Sequence, residues 1–252
     1  MNDITKKESS LPVLASAFID QSMGNADAES FAIPFLQVLQ GNSPQCIPED
    51  GKYIEGAVRG KILDTVTQEL HDDLEVFPVY FKREFIEWIL RSLGGGIVDR
   101  HLPESAPAYK ETEVDGKYMW LMENGHQLVD TRQHYVLFRP ITEDGSGAWR
   151  PAMIGMTSSK IKVSKRLMTM ITDQRKSGVL MSFRFSTVGE VKNSDHFSNW
   201  AAIPLNDVTA DSDLLNEAMA FQKACQSNAV KVQGEDDNQE GPGDDLANNA
   251  NF

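Results

Sequence analysis

The stretch that decides the fold is VFPVYFKREFIEWIL, residues 76–90. Aromatic and β-branched residues fill most of it, and such side chains pack well on a pleated, half-buried surface, so the run reads as a strand. Pro78 has no N–H to give to a ladder, which puts the run at a sheet edge or marks a bulge in it. Taken as one regular strand, Phe77, Val79 and Phe81 share a face, and Tyr80, Lys82 and Trp88 share the other. A face that mixes rings with a cation suits single-stranded nucleic acid. The rings stack on bases at about 1–3 kcal/mol each, and the lysine neutralises phosphate. Plain core packing explains Tyr80 and Trp88 equally well. Lys82, Arg83 and Arg91 are expected at the surface.

Further strands flank this run. Upstream, FAIPFLQVLQ (31–40) is a short apolar element and GAVRGKILDTVT (56–67) a strand bracketed by glycines. Downstream, GGG (94–96) breaks the chain, and YMWLM (118–122) and HQLVD (126–130) flank Glu123-Asn124-Gly125, a hairpin signal. HYVLFRPI (134–141) and AWRPAMIGM (148–156) flank the turn EDGSG (143–147). In VLMSFRFST (179–187), Phe183 and Phe185 alternate with Ser182 and Arg184, which places Arg184 on the polar face. NWAAIPL (199–205) is the last strand expected, followed by a helix from about Asp211 to Ala229. One helix lies among the strands, at roughly 160–173, with Ser158 and Ser159 as caps. Val163, Leu167, Met170 and Ile171 form its apolar stripe. The fold class is α+β and β-rich, with one internal helix and a C-terminal helix.

The charge is separated along the chain. Lys+Arg 24 against Asp+Glu 37 gives −13. Residues 150–192 hold nine bases against only Asp173 and Glu190, so this segment is +7 and the remainder −20. The stretch GEDDNQEGPGDDLANNANF (234–252) carries six acids and no base, with little apolar content to repay ordering. The chain divides into a flexible arm (1–30), one β-rich domain (31–232) and a disordered acidic tail (233–252). Within the internal helix, Lys160 and Lys162 stand in the first turn, where the dipole disfavours cations by roughly 0.3–1 kcal/mol each. Cations beside free N-terminal amides make a place for phosphate. The candidate phosphate contacts are Lys160, Lys162, Lys165, Arg166, Arg175, Lys176 and Arg184.

Catalytic signatures are weak. The five histidines are scattered, neither cysteine has a partner at ligand spacing, and GGG is not a phosphate-binding loop. Asp64, Glu69, Asp72 and Asp73 have a spacing compatible with metal ligands, but solvated surface accounts for them as well. No GxSxG or HExxH occurs. The expectation is a non-enzyme with no cofactor and no metal. Two cysteines in 252 residues fit a reducing cytoplasm, and no apolar run approaches the roughly 20 residues of a membrane span. LPVLASAFI (11–19) is too short for a secretory signal.

Five segments carry a resemblance: FAIPFLQVLQGNSP, GAVRGKILDTVT, VFPVYFKREFIEWILRSLGGGIV, SSKIKVSK and FSTVGEVKNSDHFSNWAAIPL, within about residues 31–205. In these the chain resembles phage-encoded single-stranded DNA-binding proteins with an acidic C-terminal tail. The resemblance implies an oligonucleotide-binding-type barrel and a role in phage DNA replication or recombination in the host cytoplasm. It further implies replication or recombination proteins as partners of the tail, through Asp244, Asp245 and the terminal Phe252. Asn248, Asn249, Ala250 and Asn251 separate those acids from the aromatic, a departure from the compact form of the pattern. The tail would occupy the basic groove as a nucleic-acid mimic when DNA is absent. The alternative reading is an acidic interaction protein that inhibits a host DNA-processing complex.

Overall fold

All but the last two residues of the 76–90 run belong to β5, Leu74–Trp88, and β5 is internal to its sheet. In the computed structural model the described residues are 32–114, 117–142, 147–192, 195–227 and 230–232. Before β5 come β1 (Ala32–Ile33), β2 (Leu36–Val38), β3 (Ile62–Asp64) and β4 (Leu70–His71). After it come β6 (Ile97–His101), β7 (Lys110–Val114), β8 (Lys117–Leu121), β9 (Gln127–Pro140) and β10 (Arg150–Thr157). Helix α1 (Ile161–Ser177), β11 (Met181–Lys192), β12 (Asp195–Asp207), α2 (Ser212–Gln226) and β13 (Lys231–Val232) complete the order. The large sheet runs β12-β11-β5-β9-β8-β7, with β10 on β9 and β6 on β5, and its pairs are antiparallel.

Pro78 marks a bulge and not an edge. The β5–β9 register slips between Pro78 and Tyr80, which leaves Val79 unpaired. The extra residue reverses the alternation beyond it. Phe77, Val79 and Tyr80 therefore share a face, while Phe81 joins the face of Leu74 and Val76. The regular alternation expected from the sequence fails at this one residue.

Each face packs under a helix. Leu74, Val76, Val136, Phe138, Ile154, Phe183, Phe185 and Trp200 form the main core, against Leu167, Val163, Met170 and Ile171 of α1. The expected apolar stripe of α1 is thus the buried one. On the opposite face Phe77, Val79, Leu137 and Val208 pack against Leu214 and Ala218 of α2. Asp211 caps α2 by accepting from the Leu214 N–H at 3.0 Å.

The sheets are open, in contrast to the barrel that the resemblance implied. β2, β3 and β4 form a separate three-stranded sheet, joined to β10 by a single parallel bridge between Phe35 and Met153. On its other side, the Gln40 carboxamide donates to the Ser198 carbonyl and accepts from the Ser198 N–H, both at 2.9 Å. A side chain thereby spans the gap to β12 where a ladder would close a barrel. Among the described residues no sheet closes.

Several boundaries differ from the sequence reading for local reasons. HQLVD and HYVLFRPI are one strand, β9, because residues 131–133 contain no turn former. In GAVRGKILDTVT only Ile62–Asp64 is strand. Gly56 and Gly60 sit at φ +80° and +93°, and the buried Asp64 carboxylate accepts from the Val66 and Thr67 N–H groups to close a turn. Ser158 and Ser159 do not cap α1. They belong to a short 3-10 turn, Ser158–Lys160, and Lys160 is the N-cap residue, its side chain making no capping hydrogen bond to the helix. The helix runs on to Ser177, ended by left-handed Gly178 at φ +71°. The hairpin at Glu123-Asn124-Gly125 forms as expected, with Met122 N–H donating to His126 O at 2.9 Å. The EDGSG turn up to residue 146, the N-terminal arm and the acidic tail, with Asp244, Asp245 and Phe252, lie outside the described residues.

Candidate nucleic-acid interface

Helix α1 sorts its charges by its own geometry. With Leu167 buried and Val163, Met170 and Ile171 partly buried against the core, the positions Lys162, Lys165, Arg166, Asp173 and Lys176 fall on the outer side at helical spacing. All five are exposed. Lys162 pairs with Glu190 at 2.7 Å and Lys176 with Asp173 at 3.7 Å, exposed contacts of about 0–1 kcal/mol. Lys165 and Arg166 have no carboxylate partner among the described residues, and neither has Arg175. Arg175 points away from the stripe, to the rim of an apolar groove of about 350 Å³ floored by Phe77, Val79 and Phe183. Lys160 is half-buried at the N-cap, and no acid stands in the first turn. Arg175 and Lys176 occupy the last turn, where the dipole favours cations.

The strand residues singled out from sequence are dispersed. Tyr80 is half-buried: it lies 5.9 Å from Tyr135 and packs in a cluster with Phe221 of α2. Lys82 is held 2.6 Å from buried Glu84, which also takes Arg100 at 3.4 Å. The bulge leaves Tyr80, Lys82 and Trp88 on one face, as expected, but it is the face covered by α2 at its upper end. Trp88 is half-buried at the far end of β5, and Arg91 lies in the 3-10 turn Arg91–Leu93. Arg83 lies on the opposite face and donates through Nε and Nη2 to both oxygens of Asp130, at 2.9 and 2.8 Å. Arg184 is exposed, as expected, and pairs with Asp73. The other carboxylates with metal-like spacing are also engaged by bases: Asp64 and Glu69 by Arg150, and Asp72 by Lys61.

The structure also assembles a group that the sequence did not disclose. Tyr109 stacks on Trp120 with centroids 4.5 Å apart and planes 21° apart, and Trp120 lies over Phe85 at 6.2 Å and 27°. The Arg83 guanidinium sits 4.9 Å from the Phe85 centroid. These four come from three separate segments, and only the pairing of β7 with β8, β8 with β9 and β9 with β5 brings them together. Alternation in YMWLM hinted that Trp120 shares a side with Tyr118, but nothing local pointed to Tyr109.

Below this column, the buried Glu87 carboxylate joins β5, β6 and the β8–β9 turn. It meets His126 Nδ1 at 2.5 Å, His101 Nε2 at 3.0 Å and the Asn124 amide at 3.0 Å. The bond to His126 holds its carboxyl below the usual range against the opposing effect of burial, with help from His101. On the same face His134 Nε2 lies 2.8 Å from Ser164 Oγ and ties β9 to α1. Burial pushes that imidazole down to about 4, with Arg132 adding to the effect.

A family model described as Pam3 phage gp34-like protein matches residues 5–231, most of the chain, so the chain belongs to that family. No curated protein and no solved structure matches. No helix among the described residues is long and apolar enough to cross a membrane.

Proposed function

Starting from membership of a phage protein family, we propose that the chain is a non-catalytic single-stranded DNA-binding protein used in phage DNA replication or recombination. The observation that carries the reading is the outer side of α1, where Lys165 and Arg166 lack carboxylate partners among the described residues, while Lys82, Arg83, Arg139, Arg150 and Arg184 each have one. A cation without a protein partner is available to phosphate. Lys162 and Lys176, in exposed pairs, exchange partners at little cost. In this reading the architecture is an oligonucleotide-binding-type barrel left open between β2 and β12, with Gln40 across the opening. The acidic tail competes with DNA for the α1 face and, once displaced, presents Asp244, Asp245 and Phe252 to replication or recombination proteins.

An electrophoretic shift series with single-stranded DNA, duplex DNA and RNA at several salt concentrations tests this. The single strand is expected to shift best, and its affinity to fall as salt rises. A second reading, an acidic protein that inhibits a host DNA-processing complex, is favoured by the capture of Lys82, Arg83 and Arg184 by carboxylates. Absence of any shift at low salt selects it.

A further inference from the structure

Resting on the single-strand reading, we infer that Tyr109, Trp120 and Phe85 form a platform on which one nucleobase stacks against Tyr109. The column has a fixed base and an open top. Arg83 is locked by two hydrogen bonds to Asp130 and lies over Phe85, which is 7% exposed. Trp120 is half-buried in the middle, and Tyr109 at the end is 42% exposed. Trp120 covers one face of the ring, so an incoming base would stack on the other. The planes are tilted by only 21° and 27° in succession, so the column continues naturally into another flat ring. Aromatic pairs favour such offset stacking over random contact. An incoming base meets a ring already held in place, and little side-chain freedom is lost on binding.

The charges around the column define what it binds. Glu111 and Glu113 of β7 are exposed, and Glu111 is paired in register with Trp120. These acids repel phosphate, so contact at Tyr109 is made with the base and not the backbone. The platform therefore contributes affinity that salt leaves alone, in contrast to α1.

Binding of a labelled oligothymidylate to the full chain, followed by anisotropy across a salt series, separates the two. Tyr109→Ala is expected to weaken binding about 5- to 100-fold, the range for removal of one stacked base, at every salt concentration and with the salt slope unchanged. Tyr109→Phe keeps the ring and is expected to stay within about twofold of the original. Equal affinity of Tyr109→Ala and the original chain overturns the platform while leaving the function standing. Weakening that Tyr109→Phe shares, or a changed salt slope, overturns stacking as the cause. A proline-rich peptide bound through Tyr109, with DNA affinity unaffected, reassigns the ring to a protein ligand. No DNA binding by the original chain overturns the function and the platform together.

Discussion

Gly155 shows how much one methyl group can decide. A Cβ there would stand 2.9 and 3.1 Å from two ring atoms of Phe35. Phe35 cannot retreat easily, because its N–H donates to Thr65 Oγ1 at 2.9 Å and its backbone bridges to Met153. Gly155→Ala is expected to destabilise by about 1–3 kcal/mol, the usual effect of overpacking. Thermal unfolding reads this as a midpoint lower by about 2–4 °C per kcal/mol, and adding Phe35→Leu should recover part of it. A midpoint unchanged in Gly155→Ala refutes this packing. The charged residues show the limit of the sequence at the same scale. That Lys165, Arg166 and Arg184 are exposed follows from their places in periodic elements. That Arg83 belongs to Asp130, or Arg184 to Asp73, does not, since the partners are 47 and 111 positions apart. Pairing decides which cations are free, so the candidate site was legible as composition but not as geometry.

Among the elements, α1 was the most legible. A buried stripe at 3.6-residue spacing is a local property, and the structure buries that stripe. Strand β5 was legible as a strand, but its faces were not. A bulge changes which side chains are neighbours without changing the hydrophobic pattern that announces the strand. The attachment of α1 has a consequence in solution. Its Ser164 meets His134, which is 2% exposed and whose pKa burial lowers from 6.5 to about 4. The unfolded chain binds this proton below about pH 6.5 and the folded chain only near 4. The contribution of His134 to stability is therefore fully present above about pH 6.5 and declines as pH falls toward 4, by up to roughly 3 kcal/mol. Urea unfolding at pH 7, 5.5 and 4.5 measures the decline, and His134→Gln, which removes the titration, is expected to flatten it. An equally steep decline in that variant assigns the acid sensitivity elsewhere.

At the scale of the whole molecule, the net charge of −13 is the feature most at odds with the proposed DNA binding, and its uneven distribution is what the proposal draws on. Residues 150–192 carry +7, and the last 19 residues carry six acids and no base. In the proposed reading a tethered tail would stand at roughly millimolar effective concentration beside its own domain. Removing residues 234–252 is therefore expected to tighten single-strand binding at low salt, with the gain fading as screening shortens to about 8 Å at physiological salt. Equal affinity of the truncated and full chains at low salt shows instead that the tail does not compete.

The most direct test of the central claim is the salt dependence of single-stranded DNA binding, compared between the original chain and a Lys165→Glu, Arg166→Glu double variant. The original chain is expected to bind with log K falling linearly in log salt. The folded variant is expected to bind more weakly to every sequence, with a slope shallower by about 0.7 for each phosphate that is no longer neutralised. No binding by the original chain at low salt, or the same affinity and slope in the folded variant, would contradict it.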